Sequence, residues 1–181
     1  MTATLVTNAM PLEVQLVDAS ATERFGAALA HTATWHLPRT VSVYLCGELG
    51  AGKTTLARGF LRALGVQGTV RSPSYTLLET YEVGTHGPGT HGPGTYRVLH
   101  LDLYRLRSAE ELETLGLRDE CRPGTCLLVE WPERAMDRLP PADLVATLEV
   151  LQPARRIAVA AKSMEGTDWL SRASDFYASQ V

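Results

Sequence analysis

The stretch Gly47-Glu48-Leu49-Gly50-Ala51-Gly52-Lys53-Thr54 decides the fold of this chain. It matches the pattern G-x-x-x-x-G-K-[ST], which has physical meaning only where a strand precedes it and a helix follows it. The preceding run, VSVYLC at residues 41–46, is apolar and β-rich, as strands are. Residues 55–64 place leucines and a phenylalanine at helical spacing. The sequence therefore predicts a strand, a glycine loop and a helix in that order.

This order of elements is suited to binding a chain of phosphates. Glycines allow successive backbone N–H groups to turn toward an anion, and the helix adds its unpaired N–H groups and the positive end of its dipole. In such a loop Lys53 is expected to reach the β- and γ-phosphates, and the Thr54 hydroxyl is expected to ligate Mg²⁺. The chain has only one other lysine, Lys162. We interpret the chain as a nucleoside-triphosphate binder, with a chance glycine-rich turn as the alternative.

The composition predicts one soluble domain spanning residues 1–181. A net charge of −3 and a pI of about 5.9 argue against tight binding of nucleic acid by this chain alone. The three cysteines lack the spacing of a zinc site, so we expect reduced thiols. The sequence shows no signal-like leader and no apolar run approaching ~20 residues. We therefore expect a cytoplasmic protein that does not contact a membrane.

Strand and helix patterns alternate along the chain. Strands are predicted at residues 12–17, 41–46, 96–102 with a continuation to 106, 125–130, 144–150 and 155–161. Helices are predicted after capping boxes at Ser20 and Ser108, and over residues 55–64, 133–139 and 169–177. This alternation predicts an α/β protein with the P-loop NTPase fold, in which helices flank a mostly parallel central sheet with an antiparallel flank. Residues 1–11 are expected to form a loose tail. Residues 84–95, which repeat Gly-Thr-His-Gly-Pro, are expected to form a flexible loop.

Two of the predicted strands end in an acid, Asp102 in one and Glu130 in the other. Ligands of such sheets lie at the carboxyl ends of the strands, so both acids should converge on the glycine loop. Glu130 follows an almost wholly apolar strand, where we expect a carboxylate that holds Mg²⁺ directly or through water. Asp102 is expected either in the metal shell or beside the attacking water, and the sequence does not decide between these roles. Lys53, Asp102 and Glu130 are the candidate catalytic residues.

The identity of the base and the role of the loop at residues 71–79 are less constrained. This hydroxyl-rich loop is either a switch that senses the γ-phosphate or an ordinary loop in which Pro73 fixes a turn. The guanine-reading motif N-K-x-D cannot occur, because the only asparagine is Asn8 and no lysine follows it. Adenine is the default base, and the expected cofactors are therefore ATP and Mg²⁺.

The chain resembles the TsaE (YjeE) family in five segments, whose order and spacing agree from about residue 12 to residue 150. These segments are GELGAGKTT at 47–55, RSPSYTL at 71–77, HLDLYRL at 100–106, EELE at 110–113 and VEWP at 129–132. The resemblance implies a small bacterial ATPase required to form threonylcarbamoyladenosine in ANN-decoding tRNAs. It also implies TsaD and TsaB as partners, with ATP hydrolysis resetting their complex and with tRNA met only through that complex.

The resemblance also implies roles for individual residues. It places the phosphates on Leu49, Gly50, Ala51, Gly52, Lys53, Thr54 and Thr55. It places Mg²⁺ on Thr54 and Glu130, Asp102 by the nucleotide, and Trp131 beside the nucleotide or a partner surface. Two features depart from the family: Ser74 replaces a usual threonine, and the repeated Gly-Thr-His-Gly-Pro lengthens a usually short loop.

The sequence places no arginine clearly as a catalytic finger. Arg105 is the nearest candidate, and a structural ion pair is the alternative role for it. Because a group supplied by a partner can raise a phosphoryl-transfer rate roughly 10³–10⁵-fold, we expect weak ATPase activity from the chain alone and stimulation in the complex.

Two further functions fit the same motifs. One is a small-molecule kinase, although kinases usually carry an arginine-rich lid and residues 84–95 contain no arginine. The other is a nucleotide-dependent interaction module in which binding, without hydrolysis, orders the loop at residues 71–79.

Overall fold

The computed structural model describes residues 10–84, 96–108 and 110–180. The predictions for residues 1–9 and 85–95 lie outside these ranges. In chain order the described elements are β1 (Leu12–Leu16), α1 (Ala19–His31), β2 (Val41–Cys46), α2 (Lys53–Ala63), β3 (Leu78–Val83), β4 (Tyr96–Asp102), α3 (Glu111–Thr114), α4 (Leu117–Glu120), β5 (Thr125–Glu130), β6 (Leu144–Leu151), β7 (Ala154–Ala161) and α5 (Met164–Ala178). Two 3₁₀ turns, Pro132–Arg134 and Met136–Arg138, follow β5.

The strands form one mixed sheet in the order β1-β7-β6-β2-β5-β4-β3. The four central strands β6, β2, β5 and β4 run parallel to one another. β3 pairs antiparallel with β4 at one edge, and β7 and β1 extend the other edge antiparallel. The prediction of an α/β protein with a largely parallel sheet is confirmed. The sheet has antiparallel strands at both edges, whereas one antiparallel flank was expected.

Both faces of the central strands are covered, and this explains the continuous apolar run in β5. Cys126 and Leu128 pack into a core with α1, α2 and α5, whereas Leu127 and Val129 pack into a second core with α3 and α4. Side chains alternate between the two faces of a strand, so a strand buried on both sides is apolar throughout. Glu130 is the last residue of this strand, and the fold carries it into the interior at the sheet edge where β5 ends.

α1 and α2 cross at close range because glycines lie where they touch. A Cβ added to Gly26 would lie 2.2 Å from the Leu56 carbonyl oxygen, and one added to Gly59 would lie 2.1 Å from the Glu23 carbonyl oxygen. Any larger side chain at either position would therefore separate the helices. Since α2 begins at Lys53, this crossing also fixes where the end of the glycine loop lies.

Asp143, just before β6, joins the sheet to α5 and the loop before β2. Its carboxylate accepts hydrogen bonds from Arg39 at 2.7 and 2.9 Å, from the Ser42 N–H at 2.9 Å and from the Ser163 hydroxyl at 2.5 Å. Burial opposes the ionisation of Asp143, but the bonds from Arg39, Ser163 and Ser42 and the charge of Arg39 outweigh it and lower the pKa of Asp143.

Several predicted element ends are wrong. α1 is capped by Asp18, which accepts a hydrogen bond from the Ala21 N–H at 2.6 Å, and the expected capping box at Ser20 does not form. α5 begins at Met164 with Ser163 as its cap, earlier than the predicted residue 169. The strand predicted to continue through residues 103–106 ends at Asp102, because the Asp102 carboxylate accepts the Tyr104 N–H at 2.9 Å and turns the chain. In the described part of the chain, helices that combine the length and the apolar character of a membrane span are absent.

Candidate functional site

A cleft of about 440 Å³ opens where β2, β4 and β5 end, between the glycine loop (residues 47–54) and the loop at residues 71–77. Its walls contain most of the residues that the sequence singled out. The lining residues are Leu49, Gly50, Gly52, Lys53, Thr54, Thr55, Ser72, Ser74, Asp102, Tyr104, Arg105, Glu130, Trp131 and Arg155. Ala51 is the one predicted site residue that does not line the cleft, because its side chain is buried behind the glycine loop.

The glycine loop has a backbone that only glycine adopts without strain. Gly47, Gly50 and Gly52 have φ values of 132°, 80° and 110°. A Cβ on Gly47 would also lie 2.3 Å from the Leu148 carbonyl oxygen of β6, so the loop packs closely on the sheet. The loop leads directly into α2, whose first turn presents unpaired N–H groups and the positive end of the helix dipole. This geometry suits an anion.

Lys53 lies inside the cleft, with 4% of its surface exposed. Its ammonium donates to the carbonyl oxygens of Gly47 at 2.6 Å and Glu48 at 2.9 Å, and it lies 3.7 Å from the centre of the Trp131 ring. Burial lowers the pKa of Lys53, and the charges of nearby carboxylates, that of Glu130 foremost, act against this shift. Within the described residues Lys53 has no ion-pair partner, so it is a buried cation available to an incoming anion.

Glu130 connects the glycine loop to the sheet. Its Oε2 accepts a hydrogen bond from the Thr54 hydroxyl at 2.8 Å, and its Oε1 lies 2.9 Å from Nε2 of the fully buried His100. Because a carboxylate only accepts, His100 donates from Nε2. His100 was not predicted as a site residue, although a histidine within the apolar run of β4, two residues before Asp102, was a visible signal.

The pair formed by Thr54 and Glu130 fits a magnesium ion. Adjacent oxygen ligands of octahedral Mg²⁺, each at about 2.1 Å from the ion, lie about 3 Å apart, close to the observed separation of the two side-chain oxygens. Among the residues that the structure describes, no group of three or more His, Cys, Asp or Glu is placed to hold a metal.

Asp102 faces the cleft from β4, next to Glu130 in the sheet register. Its Oδ1 accepts the Tyr104 N–H at 2.9 Å, and its Oδ2 accepts the hydroxyl of Ser72. The Asp102 N–H also donates to the Leu77 carbonyl at 3.1 Å. The loop at residues 71–77 is therefore attached to Asp102 through both backbone and side chain.

Aromatic and basic side chains form the outer rim. The rings of Tyr104 and Trp131 lie 5.0 Å apart, and Trp131 has a φ of 59°, which turns the chain away from β5. The Arg105 guanidinium lies 4.3 Å from the ring of Tyr75, which is 83% exposed. Arg105 forms no ion pair in the described part of the chain. It packs on an aromatic ring, and the structural ion pair given as its alternative role is not formed with a described residue.

Arg155 lines the cleft and was missed by sequence reasoning. It is the second residue of β7, far along the chain, and its Nε donates to the Ala51 carbonyl of the glycine loop at 3.1 Å. The predicted strand at residues 155–161 gave its position, but its contact with the glycine loop depends on the pairing of β6 with β2.

Comparisons with known proteins agree with this arrangement. The family model described as "Threonylcarbamoyl adenosine biosynthesis protein TsaE" matches residues 16–157. The chain belongs to the TsaE family. The resemblance found in the sequence is thereby confirmed, and with it a role in the biosynthesis of threonylcarbamoyladenosine in tRNA.

Relatives and a solved structure extend over most of this TsaE-family chain. The Haemophilus influenzae tRNA threonylcarbamoyladenosine biosynthesis protein TsaE is 39% identical over 153 residues, which cover 84% of this chain and 90% of that protein. The Synechocystis protein of the same description is 37% identical over 131 residues, or 70% of this chain and 74% of that protein. The crystal structure of Bacillus subtilis YdiB is similar in fold, with a TM-score of 0.66 and 24% identity, over 91% of this chain and 95% of that one.

Proposed function

We propose that this chain is a magnesium-dependent ATPase with a P-loop NTPase fold, and that its ATP hydrolysis supports the complex that forms threonylcarbamoyladenosine in ANN-decoding tRNAs. One observation carries the proposal. The Thr54 hydroxyl and the Glu130 carboxylate lie 2.8 Å apart beside the buried ammonium of Lys53, at the end of a glycine loop that leads into a helix. Hydroxyl, carboxylate and lysine at such a loop are the groups that bind a nucleoside triphosphate with Mg²⁺.

The binding step uses groups that the fold already holds in place around the cleft. Backbone N–H groups from Leu49 to Thr55 would surround the phosphates, and Lys53 would exchange the carbonyls of Gly47 and Glu48 for phosphate oxygens. Thr54 and Glu130 would hold Mg²⁺, which when bound neutralises charge on the phosphates. His100 keeps Glu130 oriented toward Thr54 through the 2.9 Å contact.

The surroundings of Asp102 support a role in orienting the attacking water. Asp102 is 4% exposed, and hydrogen bonds from the Ser72 hydroxyl and the Tyr104 N–H to its two oxygens fix the direction of the carboxylate. Thr54 bonds to Glu130, and this favours Glu130 over Asp102 as the metal ligand. The bond to Ser72 gives the loop at residues 71–77 a contact that changes when Asp102 engages a water beside the γ-phosphate.

The family role supports TsaD and TsaB as partners. A net charge of −3 supports contact with tRNA only through them. We expect weak hydrolysis by the isolated chain. Arg105 is the nearest candidate for a catalytic finger, and its stacking on Tyr75 holds it at the rim of the cleft. A cytoplasmic location remains a prediction.

The test compares the parent with Lys53→Ala and with Lys162→Ala, the matched loss of the other, exposed lysine. We expect the parent and Lys162→Ala to bind ATP with Mg²⁺ in calorimetry, and Lys53→Ala to lose binding. Phosphate release should be slow alone and rise when TsaD, TsaB and tRNA are added. If Lys53→Ala binds ATP and Mg²⁺ as tightly as the parent, the proposal is wrong. Release only with a small-molecule acceptor would indicate a kinase, and binding without release in the full system would indicate an interaction module.

A further inference from the structure

Arg155 lies on the flank of the glycine loop opposite to Glu130 and Trp131. β6, its hairpin partner, neighbours β2 on the side away from β5. The Arg155 side chain runs along the loop: a Cβ on Gly52 would meet its Nε at 3.1 Å and its Cδ at 3.2 Å. Together with the bond from Nε to the Ala51 carbonyl, these contacts place the guanidinium beside the glycine loop, where Arg155 lines the cleft.

Among the residues that the structure describes, none accepts a hydrogen bond from the two terminal nitrogens of Arg155. In the described ranges, its one hydrogen bond is the 3.1 Å contact from Nε, and it takes part in no ion pair. Its neighbour Arg156 differs, because it points to the other face of β7 and pairs with Glu149 at 2.8 Å and Glu13 at 3.5 Å. A guanidinium that is anchored through Nε and has a free fork in a cleft is suited to bind an oxyanion through two parallel hydrogen bonds.

We propose that Arg155 binds the α- and β-phosphates, the part of the nucleotide that ATP and ADP share. This inference rests on the proposed function. Lys53, Thr54 and Glu130 mark the end of the cleft that holds Mg²⁺ and the γ-phosphate, whereas the backbone of such a loop surrounds the α- and β-phosphates. Arg155 is attached to that backbone at Ala51 and Gly52. Its charge therefore stays with the nucleotide after the γ-phosphate has left.

This position predicts a particular kinetic role. An interaction made equally with substrate, transition state and product strengthens binding and does not change the chemical step. Arg155 is thus a nucleotide-binding residue and not a catalytic finger, since a finger contacts the γ-phosphate and stabilises the transition state.

The experiment uses the full chain and four variants: Arg155→Ala, Arg155→Gln, Arg155→Lys and, as a control with the same change of charge, Arg156→Ala. Calorimetry gives the Kd for ADP and for ATP, each with Mg²⁺, and phosphate release gives kcat and KM. We expect Arg155→Ala and Arg155→Gln to weaken both nucleotides about tenfold and by the same factor, the loss expected for one charged hydrogen-bonding group. Arg155→Lys should retain part of the affinity, Arg156→Ala should match the parent, and kcat should be unchanged in all four.

Gln distinguishes phosphate binding from simple support of the loop, because it can still donate to the Ala51 carbonyl but carries no charge. Full affinity in Arg155→Gln would mean that the side chain only braces the loop, and this would overturn the inference. Loss of ATP affinity with normal ADP affinity, or a fall in kcat, would assign Arg155 to the γ-phosphate and would overturn it as well. If the parent binds neither nucleotide, both the proposed function and this inference are wrong. If the parent binds both nucleotides and the Arg155 variants match it, only the inference fails.

Discussion

Replacing Gly59 with alanine tests how the fold positions the glycine loop. An alanine Cβ would lie 2.1 Å from the Glu23 carbonyl oxygen and 2.6 and 2.7 Å from the Cα and C atoms of the same residue. All three are backbone atoms of α1, so no side-chain rotation relieves the overlap. The two helices must move apart by roughly 1 Å, which costs about 3 kcal/mol at the upper end of overpacking effects. Alanine returns about 1 kcal/mol through its better helix propensity, and about 2 kcal/mol of destabilisation remains.

Urea unfolding followed by circular dichroism measures this loss, and a chain of this length should also melt roughly 6 °C lower. Gly65→Ala is the matched control. Its added methyl meets open space, but its φ of 87° strains alanine by about 1 kcal/mol. Because Gly26 lies in the same crossing, the double variant Gly26→Ala/Gly59→Ala should lose clearly less than the sum of its single changes.

Of the changes at Gly59 and Gly65, only the one at Gly59 should also affect the cleft. α2 begins at Lys53, so a displaced helix moves the ammonium and hydroxyl that we propose to bind the nucleotide, and ATP with Mg²⁺ should bind more weakly. Gly65→Ala, at the far end of the same helix, should bind normally. A Gly59→Ala chain as stable as its parent would refute the reasoning that the glycine sets the distance between these helices.

Three further changes have defined outcomes. Glu130→Gln should remove most of the increase in ATP affinity that Mg²⁺ causes, a loss of about 10- to 100-fold. The control Glu133→Gln, which changes an exposed carboxylate nearby, should keep this increase. Calorimetry with and without Mg²⁺ measures it, and an equal increase in both variants would contradict the metal site. Asp143→Asn should lower the free energy of unfolding by about 2 kcal/mol at pH 7. Because the pKa of Asp143 is held below its ordinary 3.8, this stabilisation is complete above that pH and declines below it. The free energies of unfolding of the variant and the parent, measured by denaturant titration, should therefore converge at acid pH. A difference that stays constant with pH would argue against an ionised Asp143. ATP should change tryptophan fluorescence as Lys53 leaves the Trp131 ring, and Trp131→Phe should abolish the change while the two other tryptophans remain; a persisting signal would place the change elsewhere.

The parts of the fold that could be predicted are those determined by local pattern. β2 and β5 occupy the predicted residues, because an apolar run between turn residues reflects burial of the strand itself, whereas β4 begins where predicted and ends at Asp102, before its predicted continuation. The convergence of Asp102 and Glu130 followed from a general rule for parallel sheets, and the register places them side by side. Helix starts were less predictable. Ser20 and Asp18 are both good caps, and which of them begins α1 depends on where β1 ends and how the chain leaves the sheet.

The features that could not be predicted depend on contacts between distant segments. His100 acquires its role only because β4 lies next to β5, which brings Nε2 to the Glu130 carboxylate. Arg155 reaches the glycine loop only because β6 and β7 add to the edge of β2, while its neighbour Arg156 faces outward. Periodicity shows that the two arginines occupy opposite faces of a strand, but it cannot show which face meets the cleft.

Three of the side chains that we propose to act on the nucleotide already have partners within the chain. Lys53 bonds to the carbonyls of Gly47 and Glu48, Thr54 bonds to Glu130, and Asp102 bonds to Ser72. A nucleotide must exchange these bonds for its own, so part of its gross binding energy replaces interactions that the chain loses. The exchange at Asp102 has a further consequence, since Ser72 belongs to the loop at residues 71–77. Under the proposed function, a water drawn to Asp102 competes with Ser72, and the position of this loop on the surface then reports whether the γ-phosphate is present.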